Sequence, residues 1–157
     1  MMKPSAFAVA ALLASAAHAD TAMPDYRDNR STAADVVQSY YNAVNRHEYL
    51  RAYSYFQFGT LGLFSQFEAG YADTAHVDIR LGPVTSDGTA GAVHFAVPVA
   101  LQAQDSHGQI SVFSGCYLLT QVEPSIQGTP PFVPIEINAG HLVKTKAAFA
   151  HAMGNCN

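Results

Sequence analysis

His76, Asp78, Arg80 and His94 are the residues whose types and spacing could do chemistry. They offer two bases, a carboxylate and a fixed cation. An Asp or His held out of water among them is a general base for isomerase or dehydratase chemistry, with a nearby Tyr or His donating to a developing oxyanion. His76-x-Asp78 with His94 also supplies the donor types of a transition-metal site, but no third ligand sits at a fixed spacing, so no metal is assigned. The chain holds no glycine-rich phosphate loop, nucleophile elbow or Cys/His zinc pattern, and no cofactor is expected. The plain alternative is a solvated sheet face on which Asp78 pairs with Arg80 or His94.

These residues lie where the hydrophobic period is two. His76 to Leu81 alternates strictly, Thr85 to Gly91 is turn-rich around Asp87-Gly88, and Ala92 to Gln104 reads as a long second strand. A hairpin turning at Asp87 sets Arg80 opposite His94 and Asp78 opposite Ala96, with Val77, Ile79 and Leu81 on the other face. Asp105 to Gly108 is the next turn, and Gln109 to Val122 a third strand. A two-residue turn at Ser106-His107 puts Phe113, Gly115, Tyr117 and Leu119 on the face with His94. One residue more or less reverses that choice. Small residues at Ala96, Ala100 and Gly115 would leave room for a ligand. Phe132 to Lys144 can form a fourth strand, which Pro134 and Gly140 mark as an edge or a bulged one.

Before the strands the period is helical. Thr32 and Asp35 fit a capping box, followed by Val36, Val37, Tyr40, Tyr41 and Val44 on one face. Tyr49, Ala52, Tyr53 and Phe56 suggest a second short helix, and Phe64, Phe67 and Tyr71 a third. Tyr40, Tyr41, Tyr53, Tyr55 and Tyr71 are either core aromatics with hydroxyls at the rim or the walls of a pocket. The expected class is α+β, with N-terminal helices packed on a curved antiparallel sheet.

Composition narrows the partners. The chain has 157 residues, 49% hydrophobic and 13% charged, with formal net charge −4 and scattered Lys and Arg, so a nucleic-acid partner is not expected. Met1-Met2-Lys3, an apolar run from Ala6 to Ala17 and Ala17-His18-Ala19 read as an export signal over 1–19. The run is shorter than the roughly 20 residues of a membrane span. A periplasmic or secreted protein starting at Asp20 follows, with a flexible lead-in over 20–31. In an oxidising compartment Cys116 and Cys156 have only each other to pair with, which would tether the polar tail over 147–157.

The stretch from Asp35 through Tyr40-Tyr41 and Asn45-Arg46-His47-Glu48 to Phe56 resembles the opening helix pair of the NTF2-like (SnoaL-like) superfamily, and Phe64 to Ile79 is similar to its next segment. The resemblance covers roughly Thr32 to Lys144 and implies an NTF2-like cone over 32–146, with a cavity between helices and sheet. Members include isomerases, dehydratases and non-enzymatic binding domains, so fold alone does not choose among them. The expected function is an exported domain that binds a small apolar ligand, with Tyr41, Tyr53, His94 and Tyr117 lining its cavity. The alternatives are an enzyme using Asp78 or His94 as base, and a homodimer or partner module using the sheet. Protein purified after export is expected to begin at Asp20 and to lack titratable thiols. An intact mass retaining residues 1–19, or two free thiols under oxidising conditions, would overturn the export reading.

Overall fold

The computed structural model describes residues 22–156. The expected export signal and the start at Asp20 lie outside the described residues. Among the described residues no helix is long and apolar enough to cross a membrane.

Helix α1 spans Ala33–Asn45. The Thr32 side chain accepts the Asp35 backbone N–H at 3.1 Å and donates to the Asp35 carboxylate at 2.7 Å, so the cap forms at the expected residue. Val36, Val37, Tyr40, Tyr41 and Val44 are buried, one helical stripe turned to the core. His47, at φ 56°, turns the chain into α2, Tyr49–Tyr53, and a glycine-containing loop leads to α3, Phe64–Ala69.

Five antiparallel strands follow: β1 Thr74–Leu81, β2 Thr85–Thr89, β3 Ala92–Asp105, β4 Ile110–Val122 and β5 Glu136–Thr145. The sheet order is β1-β3-β4-β5, with β2 beside the first half of β3. Among the described residues the fold is therefore α+β, three α-helices and a five-stranded sheet. Their shared core is built from the α1 stripe, Val97, Val99 and Leu101 of β3, and Tyr117 and Leu119 of β4.

Two turns differ from the reading of the sequence, and both move candidate residues. Thr85–Thr89 is a strand paired with Ala92–Ala96, so the hairpin turns at Ala90-Gly91, three residues beyond Asp87. Both turn residues have positive φ, 38° and 86°, as a two-residue turn matching strand twist requires. Gly82 to Val84 carries the chain from β1 to β2 along the same edge, with Gly82 N–H donating to Pro98 O at 2.8 Å. Strand β1 consequently pairs with the far half of β3, Asp78 opposite Gln102 and Arg80 opposite Ala100, in place of Ala96 and His94. The second difference lies between β3 and β4. Asp105 N–H donates to Gln109 O across a three-residue loop with Gly108 at φ 81°, one residue more than a two-residue turn. The faces of β4 are reversed, so Tyr117 and Leu119 point to the helices, while Cys116 and Leu118 point away.

Strand β5 starts at Glu136, after Pro134 and four residues later than expected, and is both an edge and a bulged strand, with Asn138 unmatched between Leu118↔Ala139 and Leu119↔Ile137. Its outer side is partly capped by the segment after α2, where Ile137 N–H donates to Tyr55 O and Gln57 N–H to Ile137 O.

Both ends of the described chain are fastened. Residues 22–31 have no regular secondary structure, yet Arg46 donates to Pro24 O, Asn42 to Asp25 O at 2.8 Å, and Arg51 to Arg27 O at 2.7 Å. Asn29 N–H bonds the fully buried Ser39 hydroxyl, which donates back to Asn29 O. Arg30 lies 4.2 Å over the Tyr55 ring, whose hydroxyl donates to Asp28. Burial raises the Asp28 carboxyl, but the Tyr55 and Arg30 hydrogen bonds and the charges of Arg30 and Arg51 outweigh it and hold it low. At the other end Cys116 and Cys156 form the expected disulfide, with Cα atoms 5.2 Å apart. In the chain-entropy picture, closing a loop of 40 residues stabilises the fold by about 4 kcal/mol.

Ala90 is the one non-glycine residue in that hairpin turn and holds a left-handed conformation that disfavours a Cβ by roughly 1 kcal/mol. Ala90→Asn, which tolerates positive φ, is expected to raise the stability by about 0.5–1 kcal/mol in urea unfolding. An unchanged or lower midpoint would contradict the turn at this position.

Candidate functional site

The helix-facing side of the sheet carries an aromatic cleft. Helix α1 contributes Tyr40, the segment after α2 Phe56, α3 and its exit Phe67 and Tyr71, and β4 Tyr117. They wall a cleft of about 460 Å³ with Gln66 at its edge. The helical period supplies the first set, because Tyr40 follows Val36 by four residues and Phe67 precedes Tyr71 by four. Strand alternation supplies Tyr117, directly opposite Gly140 of β5. A Cβ at Gly140 would lie 2.4 Å from the Tyr117 ring, so only glycine lets that ring lie across the strand. Edge-to-face contacts link the wall: Tyr40–Phe56 at 5.2 Å, Phe67–Tyr71 at 5.3 Å and Tyr40–Tyr117 at 6.1 Å between centroids.

Behind and beside these rings the hydroxyls bond to one another. Tyr41 Oη and Tyr117 Oη are 2.6 Å apart, and Tyr40 Oη is hydrogen-bonded to Tyr71 Oη. Burial pushes Tyr40 and Tyr41 well above the usual tyrosine range, with the neighbouring hydroxyls adding to the shift. Tyr117 and Tyr71 are also raised by burial, against hydrogen bonds that favour their ionised forms. All four hydroxyls stay protonated at physiological pH. None of the residues lining the cleft is a carboxylate, a histidine, a lysine or an arginine.

The expected site residues divide between the two faces. Tyr117 lines the cleft and Tyr41 backs it through their shared hydrogen bond. Tyr53 stands one layer out: its ring packs edge-on against Phe64 and Phe67, and its hydroxyl donates to Gly62 O at 2.8 Å. His94 is on the opposite face, exposed, with Nδ1 2.9 Å from Thr120 Oγ1, beside a hollow of about 400 Å³ that Leu118 also lines. The longer β3–β4 loop therefore separates His94 from Tyr117.

The polar face read from the sequence exists, but it is not one cluster. Asp78 and Arg80 share the outer face with His94, but their partners Gln102 and Ala100 lie eight and six residues of β3 away from it, spans of about 26 and 20 Å. Asp78 is exposed and meets His76 at 3.3 Å and Gln102 at 3.4 Å. The Arg80 guanidinium donates to Phe149 O at 2.7 Å and Ala152 O at 3.3 Å, holding the tail in place of pairing with Asp78 or His94. Among the described residues no group of His, Cys, Asp and Glu could hold a metal ion. Phe56, Phe67, Gln66 and Gly140 were not read as site residues from the sequence. The signal for the two phenylalanines is their helical spacing with the tyrosines, and for Gly140 its place opposite an inward Tyr. No family model, curated protein or solved structure matches the chain.

Raised tyrosine pKa values make the fold sensitive to alkali. An unfolded tyrosine ionises near pH 10, and these four ionise only higher in the folded protein, so the unfolded chain loses protons first. The stability they contribute is complete below about pH 10 and falls as pH rises from there towards the folded pKa values. In an alkaline titration, the phenolate absorbance of these residues is expected to appear together with loss of the circular-dichroism signal. Phenolate growth completed while the native signal persists would contradict their burial.

Proposed function

We propose that the chain is an exported, NTF2-like small-molecule-binding domain whose ligand sits in the Tyr40–Tyr117 cleft. The observation that carries this reading is the composition of the cleft, an aromatic wall with neutral hydroxyls and no ionisable base or acid among its other lining residues. Such a site favours apolar, neutral ligands: ring contact and area removed from water give affinity, and a charged ligand would lose hydration without a counter-charge. The Cys116–Cys156 disulfide supports an oxidising compartment, periplasmic or extracellular.

Isomerase or dehydratase chemistry with Asp78 or His94 has less support, because both residues lie on the sheet face away from the cleft. A partner surface on that outer face has one observation in its favour. Leu118 and Val143 are 47% and 52% exposed there, next to the docked tail.

The test uses N-phenyl-1-naphthylamine, a neutral apolar dye whose emission rises out of water. Saturable binding to the wild-type protein is expected. Gln66→Trp, an exposed position at the cleft edge, should weaken it at least tenfold by filling the opening. His94→Ala should leave it unchanged and alter stability by no more than about 0.5 kcal/mol, as for other exposed positions. Absence of dye binding, or binding lost with His94→Ala and kept with Gln66→Trp, would overturn the assignment of the cleft.

A further inference from the structure

The loop between α2 and α3 presents bare apolar surface. Phe58 is fully exposed and Leu63 is 68% exposed, while Leu61 between them lines the cleft. From Ala52 to Phe67 the chain carries no charged residue. One exposed leucine is ordinary on a protein surface. A phenylalanine with no covered area, beside a second exposed apolar side chain and the cleft, marks an interaction site.

Hydrogen bonds hold the loop in this shape. Gln57 N–H donates to Ile137 O at 2.9 Å and the Gln57 side chain accepts from Asn138 Nδ2 at 2.6 Å, so the start of the loop is pinned to β5. Thr60 closes the turn by donating from its N–H and its hydroxyl to Gln57 O, at 3.1 and 2.8 Å. Gly59 supplies the positive φ, 85°, and a Cβ there would meet nothing within 4 Å, so the tip stands in open space. The far end is held by the Tyr53 hydroxyl, which donates to Gly62 O at 2.8 Å.

Resting on the assignment of the cleft above, we propose that this loop docks the protein on the surface of a zwitterionic phospholipid bilayer, with Phe58 and Leu63 entering the boundary between headgroups and acyl chains. Area, charge and the cleft itself select that partner. A lasting protein interface buries roughly 600 Å² on each side, whereas Phe58 and Leu63 together offer about 400 Å² at most. Lipid takes up a few apolar side chains without a matching surface, and the contact is weak and reversible. An uncharged loop on a chain of formal net charge −4 gains nothing from an anionic surface, so the headgroups are zwitterionic. A neutral apolar ligand of the kind the cleft takes is concentrated in lipid, and Leu61 carries the apolar surface from the loop into the cleft.

The chain contains no tryptophan, so Phe58→Trp gives the loop a fluorescent reporter of its own. On addition of phosphatidylcholine vesicles its emission is expected to shift to shorter wavelength. Ile110→Trp should not shift: Ile110 is exposed at the start of β4, about 30 Å along that strand from Leu119, which pairs with Ile137 beside the loop. In flotation with the same vesicles, the bound fraction of the wild-type chain should fall at least fivefold when Phe58→Ser and Leu63→Ser are combined, and should not change when salt is raised. Neither position lines the cleft, so the double variant should keep its dye binding, measured without vesicles. Absence of wild-type flotation, an equal shift at positions 58 and 110, or flotation that requires phosphatidylglycerol and is lost in salt would each overturn the lipid assignment. A dimer of the wild-type chain that Phe58→Ser dissociates would overturn it in favour of a second copy. Dye binding without vesicles tests the cleft and flotation tests the loop, so the two readings fail separately.

Discussion

The fold depends on one requirement, that every phenol hydroxyl carried into the helix–sheet seam must find a partner there. Tyr40, Tyr41 and Tyr117 are each under 5% exposed, so water is not available to them. A buried hydroxyl without a partner costs about 1–3 kcal/mol, a large part of the stability of a domain this size. The Tyr41–Tyr117 bond ties the middle of α1 to the middle of β4, and Tyr40–Tyr71 ties α1 to the exit of α3. Aliphatic side chains would fill the same volume but would let the helix slide along the sheet. Tyrosines fix it to the length of a hydrogen bond.

Once α1 is fixed in this way, its other face is free to hold the N-terminal strap. Ser39, Asn42 and Arg46 lie at spacings of three and four on that second stripe, and each bonds backbone of residues 24–29. Arg51 joins the strap to α2 by donating to Arg27 O, Asn42 and Glu48. These arginine contacts go mainly to carbonyl oxygens and to carboxylates at the surface. Their value lies in closing the backbone hydrogen bonds of a segment that has no helix or strand of its own, more than in charge attraction in water. The strap covers the side of α1 away from the sheet, so it leaves the aromatic cleft open.

Much of this was legible in the sequence. The period of Val36, Val37, Tyr40, Tyr41 and Val44, the Thr32 cap, the alternation of β1 and the pairing of the only two cysteines are local signals with a single reading. The turns were not. Asp87-Gly88 is a stronger turn dipeptide than Ala90-Gly91, yet it lies inside β2, because pairing Thr85–Thr89 with Ala92–Ala96 satisfies five residues of edge backbone that a turn at Asp87 would leave short. The site was half legible for the same reason. Tyr117 and Tyr41 were identified by type, but the partner residues come from elements whose relative placement depends on turn length. Fastening of residues 22–31 was hidden because its donors, Arg46 and Arg51, are about twenty residues away in sequence.

The loop Ser106–Gly108 then explains why cleft and tail do not compete. Cys116 and Tyr117 are adjacent on β4 and must point to opposite faces. With three residues in that loop Tyr117 is inside, so Cys116 is outside, and a disulfide from Cys116 can only bring residues 146–156 across the outer face of the sheet. There Gly154 packs directly on the backbone of Gly115 and bonds Val99 O, and Arg80 clamps the carbonyls of Phe149 and Ala152. Gly154 permits this approach because a Cβ there would lie 1.7 Å from the Gly115 carbonyl oxygen. A loop one residue shorter would have turned Tyr117 to solvent and carried the tail into the helix–sheet seam, where the paired tyrosines now stand. The inward tyrosine, the outward disulfide and the open cleft are thus three consequences of a single register, set where β3 becomes β4.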